Sequence, residues 1–149
     1  MATQRDNPYG AFNFLVSLGT GDESSVIAGF SDVSGLGSEI NYSEYRNGNE
    51  SFNTVRKIAN TFKQEDITLK RGLMGSDDLF QWLRAVREGG VDKRQVSITL
   101  LDEARQPVVT FRLFNAQPKK WVGPTLAAKG GGEVAMEEFH LVCEGVTME

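Results

Sequence analysis

The alternation of apolar and polar residues predicts a chain built mostly from β-strands. Short runs of period two, separated by turn residues, place one face of each strand against a core and the other toward solvent. The predicted strands cover residues 12–18, 26–36, 39–44, 63–70, 96–101, 108–115 and 133–144. We therefore expect a mainly β fold, an antiparallel β-sandwich or partial barrel in a single domain over residues 1–149.

One segment has the period of a helix and not that of a strand. A helix is predicted over residues 76–88, with Ser76 as its N-cap and a glycine pair at its end. The apolar residues at helical spacing, which form its predicted core face, are Leu79, Trp82, Leu83 and Val86. A helix of about three turns cannot bury such a face alone. We expect it to pack against Ile67 and Leu69 of a neighbouring strand.

Residues 46–58 follow neither period. They are too polar to form a core and longer than a hairpin connection needs to be. Apolar residues spaced by three, surrounded by charges, predict an anchor and a rim for contact with a neighbouring chain. This predicted assembly loop contains Arg46, Asn47, Gly48, Glu50, Phe52, Val55, Arg56, Lys57 and Ile58. The alternative interpretation is a disordered surface loop.

Composition narrows the class of protein. The 149 residues are sufficient for one domain with a core, and the formal net charge of −4 argues against an unaided nucleic-acid binder. The single cysteine excludes an internal disulfide and is consistent with folding in a reducing cytoplasm. Residues 1–8 are polar and are expected to form a flexible arm, and no apolar run is long enough for a signal sequence or membrane span.

The sequence offers no convincing catalytic, metal-binding or cofactor-binding constellation. His140 has no partner at ligand spacing, which favours a solvated strand histidine, and Cys143 is expected to be a small core residue. The glycines at 130–132 lack the Gly-Lys-Ser/Thr ending of a phosphate-binding loop and favour a hairpin or hinge. Residues 119–121 contain two lysines and one tryptophan, too few to favour nucleic-acid binding over a surface edge.

Several sequence segments nonetheless occur in a recognisable order along nearly the whole chain. They are NPYGAFNFLV at 7–16, GFSDVSGLGSEI at 29–40, YRNG at 45–48, ITLKRG at 67–72, LFQWL at 79–83, VSITLLDE at 96–103, PVVTFRLFNAQPKKWVGP at 107–124 and LVCEG at 141–145. Together they resemble the tail tube proteins of contractile phage tails and related contractile injection particles. Two small departures concern the subgroup: residues 47–49 read Asn-Gly-Asn where the family often has Glu-Gly-Gly, and Cys143 stands where it often has histidine.

The resemblance implies a structural subunit that forms six-membered rings, stacked into a hollow tube inside a contractile sheath, with no catalysis and no cofactor. It implies as partners other copies of the chain, the sheath protein, baseplate and tail-terminator proteins, and a tape measure or cargo in the lumen. In this family the segment that corresponds to the assembly loop reaches from one ring to the next. The implied location is the bacterial cytoplasm during assembly and then a virion tail or injection particle, with no membrane insertion.

Strand alternation adds candidates for the lining of such a tube. One polar face of the long strands is expected to face a wet lumen, and its residues are Glu39, Asn41, Ser43, Thr68 and Lys70. Alternation alone leaves open whether this face points to the lumen or to the sheath. DNA and protein cargo both stay open, as do a phage, a bacteriocin and an extracellular injector.

Three other interpretations stay open on the sequence. The chain is compatible with the tube of a non-contractile tail or with the secreted ring of a secretion system. A small β-rich ligand-binding module would use Trp121 and Tyr42 to line a pocket. A small hydrolase with an unrecognised site is disfavoured because the one histidine has no partner.

Overall fold

The predicted strands and helix occur in the predicted order with altered boundaries, and the structure adds strands at Arg56–Gln64 and Gly145–Met148. The computed structural model describes residues 6–19, 27–73, 77–130 and 134–149. Its elements are β1 (Phe14–Ser17), β2 (Ile27–Ala28), β3 (Asp32–Ser34), β4 (Ser38–Tyr45), β5 (Arg56–Gln64), β6 (Ile67–Gly72), α1 (Asp78–Arg87), β7 (Arg94–Leu101), β8 (Pro107–Val122), β9 (Met136–Val142) and β10 (Gly145–Met148). All the strand pairs are antiparallel, so the predicted mainly β fold with one packed helix is confirmed.

Strand β8 connects two layers of one eight-stranded sheet. The strand order is β2-β1-β7-β8-β9-β6-β3, and β10 also pairs with β8. The first part of β8 lies between β7 and β10, whereas residues 117–122 pair with β9. Between these parts Asn115 has a positive φ of 51°, in the left-handed region that asparagine tolerates better than most residues. The sequence predicted only residues 108–115 as a strand here.

The core lies where both parts of the sheet meet the helix. Leu79 and Trp82 of α1 are buried, and Leu83 and Val86 pack against the same cluster. The rings of Trp82 and Phe139 approach to 5.6 Å between centroids. The sheet contributes the buried residues Val16, Leu18, Ile67, Leu69, Val96, Ile98, Leu113, Ala116, Phe139 and Leu141. Strict alternation within β6 and β9 therefore directs alternate side chains into one core.

The ends of the helix are fixed by the backbone and by the sheet. The helix begins at Asp78, and the preceding Asp77 makes no capping hydrogen bond through its side chain. The predicted cap, Ser76, lies outside the described residues. At the other end the amide of Gly90 donates to the carbonyl of Ala85, and Gly89 has a φ of 98°, as expected for a glycine that ends a helix.

A buried ionic cluster joins the start of the helix to the sheet. Arg71 of β6 donates to the carboxylates of Asp78 and Glu137, and the indole Nε1 of Trp121 donates to Glu137 Oε2 at 2.9 Å. Burial alone would lower the pKa of Arg71, but the hydrogen bonds to Asp78 and Glu137 outweigh it and raise that pKa. Glu137, which is 3% exposed, is thus a buried charge with its partners in place.

Strands β4 and β5 leave the body as a separate two-stranded hairpin. They extend the β3–β6 pair beyond a short irregular link. In that link Gly35 has a φ of 88°, and a Cβ atom there would lie 2.0 Å from the carbonyl oxygen of Asp66. Only glycine allows the two backbones to approach this closely with that conformation.

Candidate assembly interface

The β4–β5 hairpin has no core of its own. Every residue of β4 is exposed, and in β5 only Gln64, at the end nearest the body, is partly covered. Neither strand packs extensively against any other described element. A two-stranded hairpin is marginally stable on its own in water. Its long strands therefore present two uncovered faces and two free edges for contact with another molecule.

One face of the hairpin carries large apolar side chains. Ile40 and Phe62 are cross-strand partners, and Tyr42 follows on the same side of β4. These three side chains, the apolar ridge, are 53%, 61% and 57% exposed. Adjacent exposed side chains of this size are uncommon on monomers and indicate a binding surface. The ridge was not predicted from the sequence, because β5, which contributes Phe62, was not predicted as a strand.

The opposite face of the hairpin is polar near the body, whereas farther out it also carries the exposed side chains of Ile58 and Tyr45. It contains the predicted lumen-facing residues Glu39, Asn41 and Ser43, all exposed. Asn41 Nδ2 donates to Thr61 Oγ1 at 3.4 Å, and Asn60 Nδ2 donates to Ser43 Oγ at 3.0 Å. The same hairpin thus has one face with an apolar ridge and one face whose part nearest the body is polar.

The other two lumen-facing candidates, Thr68 and Lys70, lie on β6 in the body. They point away from the helix, because Ile67 and Leu69 fill the core positions between and before them. Thr68 Oγ1 lies 3.1 Å from His140 Nδ1, and Lys70 Nζ lies 3.5 Å from Glu138 Oε1. The five candidates are therefore divided between the hairpin and the body.

The connection between the two strands is an ordered turn of the chain centred on one arginine. This arm loop comprises residues 46–55, and it is shorter than predicted because β5 begins at Arg56. Arg46 Nε donates to the carbonyl of Phe52 and its guanidinium also donates to the carbonyl of Glu50, both at 3.0 Å. The Glu50 amide in turn donates to the carbonyl of Asn47. Arg46 thus holds the loop together from within.

The predicted apolar anchor is divided by the strand boundary. Phe52 is 76% exposed in the arm loop and Val55 is exposed at its end, whereas Ile58 is an exposed residue of β5 opposite Ser43. Of the predicted rim, Arg56 and Lys57 also belong to β5. Arg56 lies 3.3 Å from Glu50, and Lys57 pairs with Glu44 across the hairpin. Gly48 lies in a turn of the loop, where an added Cβ atom would meet no other part of the chain within 4 Å.

His140 and Cys143, the residues considered for metal binding and nucleophilic catalysis, have the surroundings of structural residues. His140 is partly buried on β9, with Nε2 3.5 Å from Glu138 Oε2. Burial, together with the negative charge of Asp66, raises the pKa of the Cys143 thiol and so disfavours the nucleophilic thiolate. Within the described ranges no three His, Cys, Asp or Glu residues are grouped to hold a metal ion. No helix described here has the length and apolar character needed to cross a bilayer.

The two aromatic residues of the ligand-binding alternative are not brought together. Trp121 packs edge-on against Phe80 of the helix, with 5.3 Å between ring centroids, and its indole nitrogen is used by Glu137. Tyr42 stands on the exposed ridge of the hairpin. The fold and the uncovered hairpin define a structural subunit built for association with other chains.

Comparison with known proteins identifies that class. The profile of the T4-like virus tail tube protein gp19 family matches residues 10–147. The chain therefore belongs to this tail tube protein family, as its sequence resemblance predicted, and is a tail tube protein of the contractile injection system type. No curated protein matches the sequence significantly.

Solved structures of contractile injection systems share the fold over nearly the whole chain. A chain of the extended PVC sheath-tube complex has 27% identity and a TM-score of 0.84, covering 97% of this chain and 93% of its own. A chain of the 6-fold symmetrised baseplate of the anti-feeding prophage has 26% identity and a TM-score of 0.85, covering 97% of each chain. Hcp1 from Flavobacterium johnsoniae, at 12% identity, a TM-score of 0.53 and coverage of 91% and 93%, shares the fold alone.

Proposed function

We propose that this chain is the inner-tube subunit of a contractile injection machine. Six copies form a ring, and rings stack into a hollow tube inside a contractile sheath. The similarity to chains of a sheath-tube complex, a tube-terminating cap, a sheath/tube terminator and a 6-fold symmetrised baseplate supports this proposal. Its partners are accordingly further copies of itself, a sheath protein, and baseplate and terminator proteins.

The observation that carries the proposal is the hairpin exposed on both faces. Contact between a hairpin and a different surface of the next subunit is head-to-tail, and a head-to-tail contact that closes produces a ring. Ring closure also covers strand edges that would otherwise promote uncontrolled aggregation. A second contact along the axis, which does not close, extends the ring into a tube.

The arm loop supplies that axial contact in this proposal. Phe52, the most exposed side chain of the predicted anchor, is offered by a loop that Arg46 already holds in shape. A preorganised loop loses less conformational entropy when it binds than a disordered one. Glu50 within the loop and Arg56 at the start of β5 form a charged rim that selects the orientation of the neighbouring ring.

The polar hairpin face and the outward face of β6 line the lumen in this proposal. Glu39, Asn41, Ser43, Thr68 and Lys70 keep much of the wall hydrated and so limit the adhesion of passing DNA or protein, although the exposed Ile58 lies beside Ser43 on this face. The lining is of mixed charge, and Lys70 is already paired with Glu138. The subunit performs no catalysis. It is made in the bacterial cytoplasm and ends in a phage tail or injection particle.

Assembly of the purified chain tests the function. Light scattering after size exclusion and negative-stain imaging are expected to show six-membered rings and stacked tubes at high protein concentration. A chain that stays monomeric under every condition in which it remains folded contradicts the proposal.

Replacement of residues 47–55 by a short Gly-Ser turn tests the arm loop separately. We expect a native-like circular dichroism spectrum, rings that still form, and loss of long tubes. The matched control replaces the exposed loop residues 126–129 in the same way and is expected to leave tubes intact. Full-length tubes from the 47–55 variant would assign ring stacking to another surface.

A further inference from the structure

An apolar groove opens between the two sheet layers at the root of the hairpin. Its volume is about 340 Å³, which is within the range of side-chain and small-ligand pockets. It lies between β1, β7 and β8 on one side and β3 with its following link on the other. The apolar residues that line it are Phe14, Val33, Leu36, Ile98, Leu100 and Phe111, with Ser31 and Asp32 as polar neighbours.

The ridge is an apolar projection and the groove is an apolar depression, but the two cannot meet within one subunit. The strand that leaves Leu36 is extended, so Tyr42 lies roughly 20 Å from Leu36 at about 3.3 Å per residue. The hairpin does not fold back, because β4 and β5 pack extensively only on each other. Each subunit therefore has an uncovered apolar projection and, separately, an uncovered apolar depression.

The charges of the two regions also favour contact between copies. Residues 38–64, which form the hairpin with its arm loop, contain four basic and three acidic residues, whereas the rest of the chain contains twelve basic and seventeen acidic residues. A weakly cationic hairpin is thus attracted to the anionic body of another copy. Asp32 lines the groove, and a carboxylate can accept a hydrogen bond from a phenolic hydroxyl such as that of Tyr42.

We propose that the apolar ridge of one subunit, Ile40, Tyr42 and Phe62, inserts into this groove of the adjacent copy in the same ring. This inference rests on the proposed assembly into rings and names the two surfaces that form it. The contact is head-to-tail, because the ridge of the first copy stays free of its own groove. It turns the apolar ridge toward the neighbouring body and leaves the face of Glu39, Asn41 and Ser43 for the lumen.

Cross-linking between two variants tests the pairing directly. One carries Tyr42→Cys and the other Leu36→Cys, both with Cys143→Ala so that each has a single thiol. A short bismaleimide is expected to give at least ten times more dimer in the mixture than in either variant alone. Dimer formation by Tyr42→Cys alone would show that ridges pack on ridges and would overturn the proposal.

Complementation tests the direction of the contact. Phe62→Glu disables the ridge, and Leu36→Glu disables the groove. Each variant alone is expected to be a folded monomer, and their equimolar mixture is expected to form a dimer and nothing larger. In that dimer the intact ridge of the Leu36→Glu chain occupies the intact groove of the Phe62→Glu chain. The second possible contact would bring two glutamates together, so it does not form and no further copy is added. The control Leu126→Glu changes an apolar residue that is 83% exposed elsewhere and is expected to assemble like the parent.

The outcomes separate this inference from the proposed function. If the parent forms rings and both glutamate variants also form them, ring assembly stands and the ridge–groove contact is overturned. If the Phe62→Glu chain forms rings but no longer enters a sheathed particle, the ridge binds the sheath and the proposal fails as well. A parent that does not associate at all, with no cross-linked mixture, contradicts both the ring assembly and the contact.

Discussion

The body of this subunit and its hairpin use apolar residues in opposite ways. In the body, Ile67 and Leu69 of β6 are completely buried between strands and helix. In the hairpin, Ile40 and Phe62 are equally apolar, and both are more than half exposed. The same alternation therefore encodes two kinds of burial. The body buries its apolar face on folding, whereas the hairpin keeps its apolar face available until another chain covers it.

This difference separates stability from assembly along the chain. Side chains in the body determine the free energy of unfolding of one subunit, because their burial is complete before any partner arrives. Side chains of the hairpin contribute little to that quantity and instead determine association. Mutations should thus divide into two groups with little overlap. A hairpin residue that proves essential for folding would contradict this division.

Trp82→Ala is expected to have the largest effect on the body. Its ring packs against Phe139, and its indole nitrogen donates to the carbonyl of Asp92 at 2.9 Å. Truncation of a buried tryptophan costs about 3–5 kcal/mol, which is a large part of the stability of one domain. Denaturant unfolding of the soluble chain measures the loss.

Phe62→Ala is the hairpin counterpart of that truncation. It should change the unfolding free energy by less than about 0.5 kcal/mol, as is usual for surface substitutions, while weakening assembly. Equal destabilisation by Trp82→Ala and Phe62→Ala would show that the hairpin is part of the folding core, and the division drawn here would be wrong.

Glu137→Gln is expected to have the second largest effect. The substitution removes one charge of the buried cluster and leaves Arg71 with Asp78 alone. We expect a loss of about 3 kcal/mol, the lower end for breaking a buried ion pair, because one partner stays in place. Glu44→Gln, which breaks the exposed pair with Lys57, is the matched change in the hairpin and should cost less than about 0.5 kcal/mol. Thermal unfolding of both variants decides between these values.

Arg46→Met should loosen the arm loop without affecting the body. The lost hydrogen bonds connect a charged donor to two backbone carbonyls, but they are exposed to water. We expect opening of the loop to become roughly fivefold more favourable, equivalent to about 1 kcal/mol. Hydrogen exchange of amides 47–55 measures this opening. Arg46→Lys retains the charge without the fork of donors and should recover little protection. Unchanged exchange in both variants would show that the loop is held by other contacts.

The alkylation rate of the Cys143 thiol is expected to show the smallest effect, and it reports on the body alone. Because its pKa is raised, its thiol should be alkylated more slowly at pH 8 than the thiol of Tyr42→Cys on the exposed hairpin. The thiol stays protonated to a higher pH in the folded state than in the unfolded state. The resulting contribution to the free energy of unfolding is complete below the ordinary thiol pKa and is lost as the pH rises above it. Asp66→Asn removes a charge that raises the pKa and should accelerate alkylation modestly. Equal rates at Cys143 and at position 42 would contradict the shielding.

The body could be predicted from the sequence because its patterns report burial within one chain. The helical spacing of Leu79 and Trp82 and the alternation of Ile67 and Leu69 both correspond to the observed core. The order of motifs along the chain identified the family. The ionic cluster around Arg71 was not foreseen, since Glu137, which joins Arg71 there, lies 66 residues away in the sequence.

Strand β5 escaped prediction for a physical reason. Its pairing with β4 shifts register between Ile40 and Tyr42, so Ile58 and Phe62 lie on opposite faces of the hairpin although they are only four residues apart. Moreover, no face of β5 is covered within the subunit, and its pattern therefore lacks the contrast that folding imposes on a core strand. The axial contact of the arm loop stays a prediction that replacement of residues 47–55 addresses, and the lumen-facing set stays a prediction.

The long strand β8 has a mechanical consequence. Its 16 residues belong first to the layer of β7 and β10 and then to the layer of β9. The two layers are therefore joined by continuous covalent backbone as well as by side-chain packing. A load that slides one layer past the other must deform this backbone near Asn115 before the layers separate. Because of this continuous backbone connection, a subunit can transmit an axial force as a nearly rigid block. Deformation of the tube is then concentrated in the contacts between its subunits.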